Sequence, residues 1–349
     1  MHHNTSRGTP RNARRHILAA AAVTCAALLP TAGWAQTILK ASPFGPPNHL
    51  LTKKILLGWA DAVGTATEGR VKVELLPAAV APPPAILDAI TSGAADVSLM
   101  SNGASARKLP LNALVEFAGQ TPSSEKASLA YQGIVQKYPA LAGEFGVVQV
   151  LGVFTHGPGV LLLSRNGVAG QDDFSKLTIN AGGAGGRAVA LDLGAKPVMS
   201  AHPPRPEVLA EGQADATVTT IDSYGSFNLA EAVKGVVTLP GGFYTAGFAM
   251  VANSAKWKTL DARDQMAIMK VSGPVLARLA GQAWDQGDAE ATAKIRAVGV
   301  PISTLTPSQT ARMAAAGDQR KKAWLESLGG NAKDAEAALA EYRAQVSMR

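Results

Sequence analysis

Strand-like and helix-like segments alternate along this 349-residue chain from residue 37 onwards, and that order restricts the fold more than any other feature. Thr37 to Ser42 reads as a strand, and an apolar stripe with helical spacing follows it from Leu50 to Val63. Val71 to Leu76 alternates with a period of two, prolines 82–84 open a second helix, and Val97 to Met100 is a further strand. Such a β-α-β-α-β series predicts a mostly parallel sheet covered by helices.

A second series of strands begins after a break in the chain at His156 to Gly159. The strand Val147 to Phe154 comes before the break and Val160 to Leu163 comes after it, an order that suits a crossing between two lobes. The second series continues to about Tyr244, and the strand Ala246 to Asn253 is placed to lead back to the first lobe. We therefore expect an α/β protein of two lobes.

The C-terminal part of the chain has a helical pattern. Asp261 to Val298 is expected to be mostly helical, with a kink at Gly273-Pro274. Two further helices are expected at Ser308 to Leu328 and at Ala332 to Gln345. The expected domain boundaries are 36–152 plus 245–285 for lobe I, and 153–244 plus 286–349 for lobe II with the C-terminal helices.

The first 35 residues have the order of a secretory signal peptide and are left out of the fold. Four arginines and no acidic residue precede the apolar run Ile17 to Leu29, and small residues follow at Gly33 and Ala35. The run is shorter than the about 20 residues that span a bilayer, so we expect cleavage after Ala35 and export to the periplasm. Arg14-Arg15 also resembles a twin-arginine signal, and the choice between Sec and Tat export stays open.

Removal of this segment changes the chemistry that the chain can perform. It takes the formal net charge from +7 to +3, because four arginines are lost, and it removes Cys25, the single cysteine. The remaining basicity is too small to predict a nucleic-acid partner. No thiol is left for a disulfide, a nucleophile or a metal.

Motifs of catalysis and cofactor binding are absent from the sequence. It has no Gly-x-Ser-x-Gly elbow and no Walker-type phosphate loop, and His49, His156 and His202 are widely separated. We therefore predict no enzyme activity, no metal and no cofactor. The run Gly182 to Gly186 lies between a strand and a helix. It is either a flexible turn that allows close packing or a loop that directs N–H groups at an anion.

Seven segments of the chain resemble one protein family in their order and spacing. They are Gly45 to His49, Gly69 to Glu74, Leu87 to Val97, Asp172 to Ile179, Leu193 to Val198, Gly212 to Asp215, and Val251 to Asn253 with Trp257. The family is the DctP-type solute-binding receptors of tripartite ATP-independent periplasmic (TRAP) transporters. The resemblance implies the fold of a two-lobe, type II-like periplasmic binding protein with crossing strands, a long inter-lobe helix and a cleft that closes on the ligand. It also implies two partners, a small-molecule solute and a membrane permease of small and large subunits.

The chain departs from this family at positions that commonly contact the ligand. The family commonly has an arginine that forks onto the ligand carboxylate, and the matching position here is Asn180. Acid-sugar receptors often have another arginine, which Gly159 matches, and the usual Gln-Glu-Asn segment reads Thr217-Val218-Thr219. The cleft is therefore expected to be less polar than is typical of the family.

Two ligand hypotheses follow, and the sequence leaves both open. In the first, the ligand is neutral or mainly apolar. The residues expected to hold it are Phe154, Phe243, Tyr244, Asn102, Asn180, Thr217 and Thr219. In the second, the ligand is a small organic acid, and Arg187 replaces the missing arginine because it is expected to open the helix after the glycine run. Arg107 and His156 are weaker candidates for that role.

The function predicted from these features is a periplasmic receptor that captures a small solute between two lobes for a TRAP-type transporter. The absence of a catalytic constellation and the double α/β series agree with that function. Two alternatives stay open at this point. One is the substrate-binding protein of an ABC importer, and the other is a secreted enzyme that uses the same cleft.

Overall fold

Two β-sheets organise the fold, one from each series of strands that the sequence predicts. The computed structural model describes residues 1–3, 36–45, 49–117, 119–165, 174–200 and 206–347, and the fold belongs to a single unit, residues 37–349. The predicted signal segment, residues 1–35, lies outside the described residues except for residues 1–3. No helix in the described ranges is long and apolar enough to cross a membrane.

The first sheet has five strands. Their bounds are Thr37–Ser42 (β1), Val71–Leu75 (β2), Val97–Ser101 (β3), Gln149–Thr155 (β4) and Gly247–Ala252 (β10). They lie in the order β2-β1-β3-β10-β4, in which β1 pairs in parallel with β2 and β3, and β10 pairs antiparallel with β3 and β4. Every residue of β10 is buried, because helices cover both faces of this sheet.

The second sheet has six strands. Their bounds are Gly159–Leu163 (β5), Thr178–Ala181 (β6), Lys196–Met199 (β7), Ala216–Thr220 (β8), Gly235–Thr238 (β9) and Ile302–Thr304 (β11). They lie in the order β11-β9-β5-β8-β6-β7, and β5 is the strand that runs antiparallel to its neighbours β8 and β9. The sequence did not predict β11, because its three residues are too few to show a period.

Each sheet contains one reversed strand, and the chain crossing explains both of them. The first residue of β5, Gly159, pairs with Thr220 at the end of β8, and the first residue of β10, Gly247, pairs with Thr155 at the end of β4. The chain leaves the first sheet at the edge where the parallel strands end, and it enters the second sheet at the corresponding edge. The strand that enters there starts where its neighbours end, so it runs antiparallel to them. The predicted crossing after Phe154 and the predicted return near Ala246 are confirmed.

The crossing also places the two carboxyl edges close together. Only His156, Gly157 and Pro158 separate β4 from β5, so the two strand ends are at most about 14 Å apart along the chain. The sequence predicted mostly parallel strands, and in both sheets all strands except β5 and β10 run parallel to one another. The α/β class with two lobes is confirmed, and the lobe boundaries stay a prediction.

Twelve α-helices in the described residues complete the fold. They are Leu57–Ala66 (α1), Ile86–Thr91 (α2), Ser124–Lys137 (α3), Pro139–Gly143 (α4), Ala184–Asp192 (α5), Pro206–Ala210 (α6), Ser223–Ser226 (α7), Ser254–Thr259 (α8), Ala262–Lys270 (α9), Pro274–Ala297 (α10), Pro307–Ser327 (α11) and Ala332–Ser347 (α12). A π-helical segment, Leu51–Leu56, precedes α1, and a 3₁₀ helix covers Leu111–Glu116. Side-chain caps fix several starts; Thr306 and Gln309 form a capping box at α11.

The predicted kink at Gly273-Pro274 is wrong, because the chain breaks there into two helices. α9 ends at Lys270, and α10 begins at Pro274 after Gly273, whose φ of 54° is left-handed. Pro274 fits the first helical position, where its missing N–H is not needed, but it cannot continue a helix from α9. The Gly273 N–H instead donates to the Leu151 carbonyl in β4, which anchors the start of the long helix to the first sheet.

The long helix α10 also fixes the start of α3. Its Asp285 carboxylate accepts hydrogen bonds from the Ser123 hydroxyl at 2.7 Å and from the backbone N–H of Ser124 at 2.7 Å and of Glu125 at 3.1 Å. A negative charge at a helix N-terminus is stabilising. The two helices pack so closely that a Cβ at Gly281 would overlap the Glu125 backbone.

Candidate functional site

A cavity of about 450 Å³ lies where the carboxyl edges of the two sheets meet. Residues that follow β1, β3 and β4 line one part of it, and residues that follow β6 and β7 line another. The end of β8 contributes Thr219 and Thr220. Ligands of open α/β sheets bind outside the carboxyl ends of the strands, and the volume is within the usual range for small-molecule sites.

One side of the cavity is built from rings, and we call Phe44, Phe248 and Trp284 the aromatic wall. Phe248 packs edge-on against Phe44, with ring centroids 6.0 Å apart, and lies 6.3 Å from Trp284 at an interplanar angle of 28°. Phe154 stacks behind Phe248 at 5.5 Å. The indole N–H of Trp284 is buried and has no hydrogen-bond partner among the described residues.

Two histidines extend this ring cluster. His49 stacks on Phe227 with centroids 4.9 Å apart and meets Trp284 edge-on at 6.0 Å. His156 meets Tyr244 edge-on at 5.0 Å and lies 5.7 Å from Trp284. All of these side chains line the cavity, which therefore presents a nearly continuous apolar and aromatic surface to a ligand.

Another part of the cavity wall consists of backbone and hydroxyl groups, and we call Gly182 to Gly186 with Ser200, Thr219 and Thr220 the glycine wall. Helix α5 begins within the glycine run at Ala184, and no side chain of the described residues caps it. The first hydrogen bond of the helix runs from the Arg187 N–H to the Gly183 carbonyl. The N–H groups that precede Arg187 in the first turn therefore have no acceptor within the helix. Uncapped N–H groups and the helix dipole favour a negatively charged group of a ligand there.

The start of α5 places Arg187 outside the wall of this cavity. The sequence places this arginine at the opening of the helix, but Arg187 is the fourth helical residue, its side chain is exposed, and it does not line the cavity. Arg107 is also exposed and outside the cavity wall. No arginine or lysine of the described residues lines the cavity.

His156 is held as a neutral imidazole by the backbone of both chain crossings. Its Nε2 accepts a hydrogen bond from the Ala246 N–H at 2.9 Å, so that nitrogen carries no proton. The proton is therefore on Nδ1, which donates to the Gly157 carbonyl at 2.5 Å. His156 links the two crossings at the cavity edge and does not supply the positive charge that the second ligand hypothesis asks of it.

Asn180 and Gly159 are the two positions where the family often has arginine, and neither lines the cavity. Asn180 is buried, and its Oδ1 accepts a hydrogen bond at 2.6 Å from the hydroxyl of Ser200, which stands in the cavity wall. A Cβ at Gly159 would overlap the Tyr244 ring and come within 2.9 Å of the Tyr244 carbonyl oxygen. The Tyr244 ring therefore fills the space that a side chain at residue 159 would need.

Three of the ten sequence-predicted site residues line the cavity, namely His156, Thr219 and Tyr244. Thr219 shares a hydrogen bond with the Ser223 hydroxyl at 2.7 Å. Burial raises the pKa of Tyr244 well above its usual value, so its hydroxyl stays protonated and serves as a neutral donor. These three residues come from the two crossings and from β8, where the strands of both sheets end.

Four other predicted residues serve as support or as core. Phe243 is fully buried in the core of the second sheet, and Phe154 supports Phe248 from behind. The Asn102 amide donates to the Tyr131 hydroxyl at 2.7 Å, which directs this side chain into a buried network of the first lobe. The Thr217 hydroxyl donates to the Asn180 carbonyl at 3.5 Å. None of the four lines the cavity, because a strand or turn directs neighbouring side chains to opposite faces.

Sequence reasoning missed the residue with the most unusual electrostatics, Glu116. It is the last residue of the 3₁₀ helix Leu111–Glu116, it lines the cavity, and it is the single acidic residue of the described cavity wall. Burial raises the pKa of its carboxyl to about 7, and the positive charge of Arg320 opposes that rise only in part. Phe44, Phe227, Phe248 and Trp284 were also missed, since an aromatic residue in an apolar pattern has the same signal in a core and in a cavity wall.

Two further carboxyl groups lie behind the cavity at the crossing. Asp288 of α10 accepts a hydrogen bond from the Asp222 N–H at 3.3 Å, and its carboxyl occupies the space beside Gly157. Burial, followed by the charge of Asp222, raises the pKa of Asp288 well above its usual value, and burial also raises that of Asp222. No cluster of three or more metal-ligating side chains occurs among the described residues.

Comparisons with known proteins agree with this geometry. The model of the family "bacterial extracellular solute-binding protein, family 7" (DctP) matches residues 42–327. The outer membrane transporter protein TsaT of Comamonas testosteroni is 28% identical over 340 residues, which cover 96% of this chain and 99% of that protein.

Solved structures give the same result. A TRAP periplasmic solute-binding protein of Bordetella bronchiseptica, with bound (R)- and (S)-mandelate, has a TM-score of 0.81 and 30% identity, and the match covers 89% of this chain and 98% of that one. A marine metagenome TRAP solute-binding protein that is specific for aromatic acid ligands, in complex with 3-hydroxybenzoate, has a TM-score of 0.80 and 27% identity, with coverage of 89% and 98%.

Proposed function

Because the chain belongs to the bacterial extracellular solute-binding proteins of family 7, as its sequence motifs predicted, we propose that it is the periplasmic receptor of a TRAP transporter and captures a small aromatic acid. The family and its solved relatives are solute-binding receptors, which points away from catalysis and from an ABC importer. In this proposal a membrane permease receives the ligand, and the N-terminal segment directs export.

The observation that carries the proposal is that the aromatic wall and the glycine wall line the same cavity of about 450 Å³. A flat apolar ring fits against Phe44, Phe248 and Trp284, where it gains contact area and favourable ring–ring geometry. Its carboxylate then faces the uncapped N–H groups of α5 and the hydroxyls of Ser200 and Thr219. Neutral donors of this kind stabilise an anion in a site without a cation.

The relatives favour an acid over a neutral ligand. The two receptors at 30% and 27% identity were solved with mandelate and with 3-hydroxybenzoate, both of which combine an aromatic ring with a carboxylate. The neutral-ligand hypothesis keeps one specific observation in its favour, since no arginine or lysine of the described cavity wall is available to pair with an anion. It is therefore the second candidate, and the same experiment distinguishes the two.

The test compares each acid with its primary amide. We would express the full chain with its own N-terminal segment, purify it from the periplasmic fraction, unfold and refold it to remove bound solute, and measure thermal unfolding. Probes are 3-hydroxybenzoate, (R)-mandelate and their amides. A ligand at 100 times its dissociation constant adds about 2.7 kcal/mol to the free energy of unfolding, which is visible as a shifted melting temperature.

Stabilisation by the acids and not by the amides is the expected result. Stabilisation by the amides alone would favour the neutral-ligand hypothesis, and chemical change of a bound acid would favour a secreted enzyme. Recovery of the protein in the periplasmic fraction with a new N-terminus at Gln36 is expected from the signal segment.

A further inference from the structure

Glu116 lies between the two lobes at the point where the glycine wall begins. Its carboxyl contacts a glycine on each side: a Cβ built on Gly103, after β3, would be 3.1 Å from Oε1, and a Cβ built on Gly185, in the first turn of α5, would be 3.4 Å from Oε2. The absence of side chains at both glycines allows this carboxyl to reach the cavity and the uncapped end of α5. A ligand carboxylate drawn to that helix end therefore lies beside Glu116.

The positive charge that acts on Glu116, Arg320, is already engaged elsewhere. Arg320 of α11 forms an ion pair with Asp192 at 2.6 Å and lies over the Phe117 ring at 6.0 Å, so it acts on Glu116 only through its more distant field. The other titratable groups that face Glu116 are the Tyr244 and Tyr131 hydroxyls, whose pKa values burial raises. His156, in the same cavity wall, is neutral, as its hydrogen bonds require.

This environment favours the protonated, neutral form of Glu116 when a ligand carboxylate lies beside it. Burial already brings the pKa of Glu116 to about 7 without a ligand. A ligand carboxylate in the same cavity raises it further, because two carboxylates in one desolvated site cannot both be ionised at low cost. Two carboxyl groups that share one proton form a charge-assisted O–H···O⁻ hydrogen bond, which is among the stronger kinds.

We propose that Glu116 is a specificity-determining residue that binds as a neutral carboxylic acid and donates a hydrogen bond to the ligand carboxylate, so that an anion enters together with a proton. This inference rests on the proposed function, and it names the group that takes the place of the family arginine. Glu116 thereby favours monocarboxylates, because a second ligand carboxylate would find no further proton donor of this kind in the wall.

Proton uptake gives the proposal a signature that a structural role would not produce. Below about pH 6 Glu116 is protonated before binding, so affinity is constant and no proton is taken up. Above pH 7 the free receptor must first take up a proton, and the dissociation constant rises by up to tenfold for each pH unit. Titration calorimetry with 3-hydroxybenzoate from pH 5.5 to 9, in pairs of buffers that differ in ionisation enthalpy, measures both quantities.

Three variants assign the proton to Glu116. Glu116→Gln keeps a neutral hydrogen-bond donor but cannot titrate, and we expect an affinity within about threefold of the wild type at pH 6 and no dependence on pH. Glu116→Leu removes the donor, and we expect at least tenfold weaker binding at pH 6, also without pH dependence. Glu336→Gln, at an exposed position of α12, makes the same charge change and should leave the wild-type profile intact.

The possible results separate this inference from the proposed function. Binding of the acid with a flat pH profile and no proton uptake would overturn the role of Glu116 and leave the receptor function standing. Proton uptake that persists in Glu116→Gln would also overturn the role of Glu116 and leave the receptor function standing. The proton would then belong to the ligand, which would bind as a neutral acid and whose affinity would fall as the pH rises above its own pKa of about 4. Affinity for 3-hydroxybenzoate that rises with pH would mean that binding releases a proton and that Glu116 is ionised in the complex, which would overturn its role as a donor. Failure of every acid to bind at any pH would overturn both proposals.

Discussion

The two walls of the cavity use opposite means of holding a ligand. The aromatic wall is made of large side chains that support one another, with Phe154 behind Phe248 and Trp284 beside it. The glycine wall combines small hydroxyl side chains with a glycine run that has almost no side chains, so the backbone N–H groups of α5 and the carboxyl of Glu116 reach the cavity. The difference indicates that stability depends on the first wall and that recognition of a charged group depends on the second. The following predictions test this division, from the largest expected effect to the smallest.

Phe248→Ala should damage the aromatic wall most. Phe248 is buried between Phe44, Phe154 and Trp284, and removal of such a ring leaves a cavity that its neighbours cannot fill. We expect the free energy of unfolding to fall by about 3–5 kcal/mol, measured by urea denaturation. The control is Leu191→Ala, since Leu191 is half-exposed on α5 and should lose less than about 1 kcal/mol. Equal losses in the two variants would contradict the structural role of this wall.

Glu116→Gln should change stability in a way that depends on pH. The unfolded chain loses this proton near pH 4.5, whereas the native protein keeps it until about pH 7, so native stability falls as the pH rises between these values. Relative to the wild type, the variant should be unchanged at pH 4 and more stable by up to roughly 3 kcal/mol at pH 8. Urea denaturation at both pH values measures the difference, and a constant difference would show that burial does not perturb Glu116.

Gly159→Ala should destabilise the protein, because residue 159, where acid-sugar receptors often have an arginine, has no space for a side chain in this structure. The added Cβ would overlap the Tyr244 ring and approach its carbonyl oxygen, and crowding of this kind costs about 1–3 kcal/mol of unfolding free energy. The matched control is Gly64→Ala, in open space on α1, where the same substitution should stabilise the helix by about 0.5–1 kcal/mol. A stabilised Gly159→Ala protein would mean that Tyr244 leaves this space readily.

Gly185→Ala should alter recognition more than stability. Its Cβ would lie 3.0 Å from the Tyr244 ring and 3.4 Å from Glu116 Oε2, which narrows the cavity where we place the ligand carboxylate. We expect about tenfold weaker binding of 3-hydroxybenzoate by titration calorimetry, which corresponds to about 1.4 kcal/mol. Gly183→Ala, in the same wall with no atom within 4 Å of the new Cβ, should change affinity less than threefold. Similar losses in both variants would contradict a role specific to residue 185.

The elements of the fold could be predicted because each has a local pattern. β1 covers the predicted strand Thr37 to Ser42, α3 begins after its cap Ser123, and the crossing at His156 to Pro158 lies at the glycines and proline that interrupt two apolar runs. The start of α5 was misplaced because glycine has a low helix propensity, and packing of Gly186 against Ala181 and Val218 overrides it.

The candidate site could be predicted only where it coincides with strand ends. His156, Thr219 and Tyr244 were found because they stand at the crossings and at the end of β8. Trp284 was not found, because on α10 it continues a buried helical stripe and nothing in that stripe marks which ring reaches a cavity. The neighbours Phe243 and Tyr244 have equal sequence signals, yet one lies in the core and the other lines the wall.

The sequence by itself determined the order of strands and helices, the two crossings and the loss of the family arginines, since these depend on residue type and on short-range periodicity. The tertiary structure alone decided what takes the arginines' place. Glu116, Gly185 and Tyr244 are far apart in the chain, and they meet only because both sheets present their carboxyl edges to one cavity. The pKa of a carboxyl and the reach of an N–H group are set by what surrounds them in space, and a linear pattern does not contain that information.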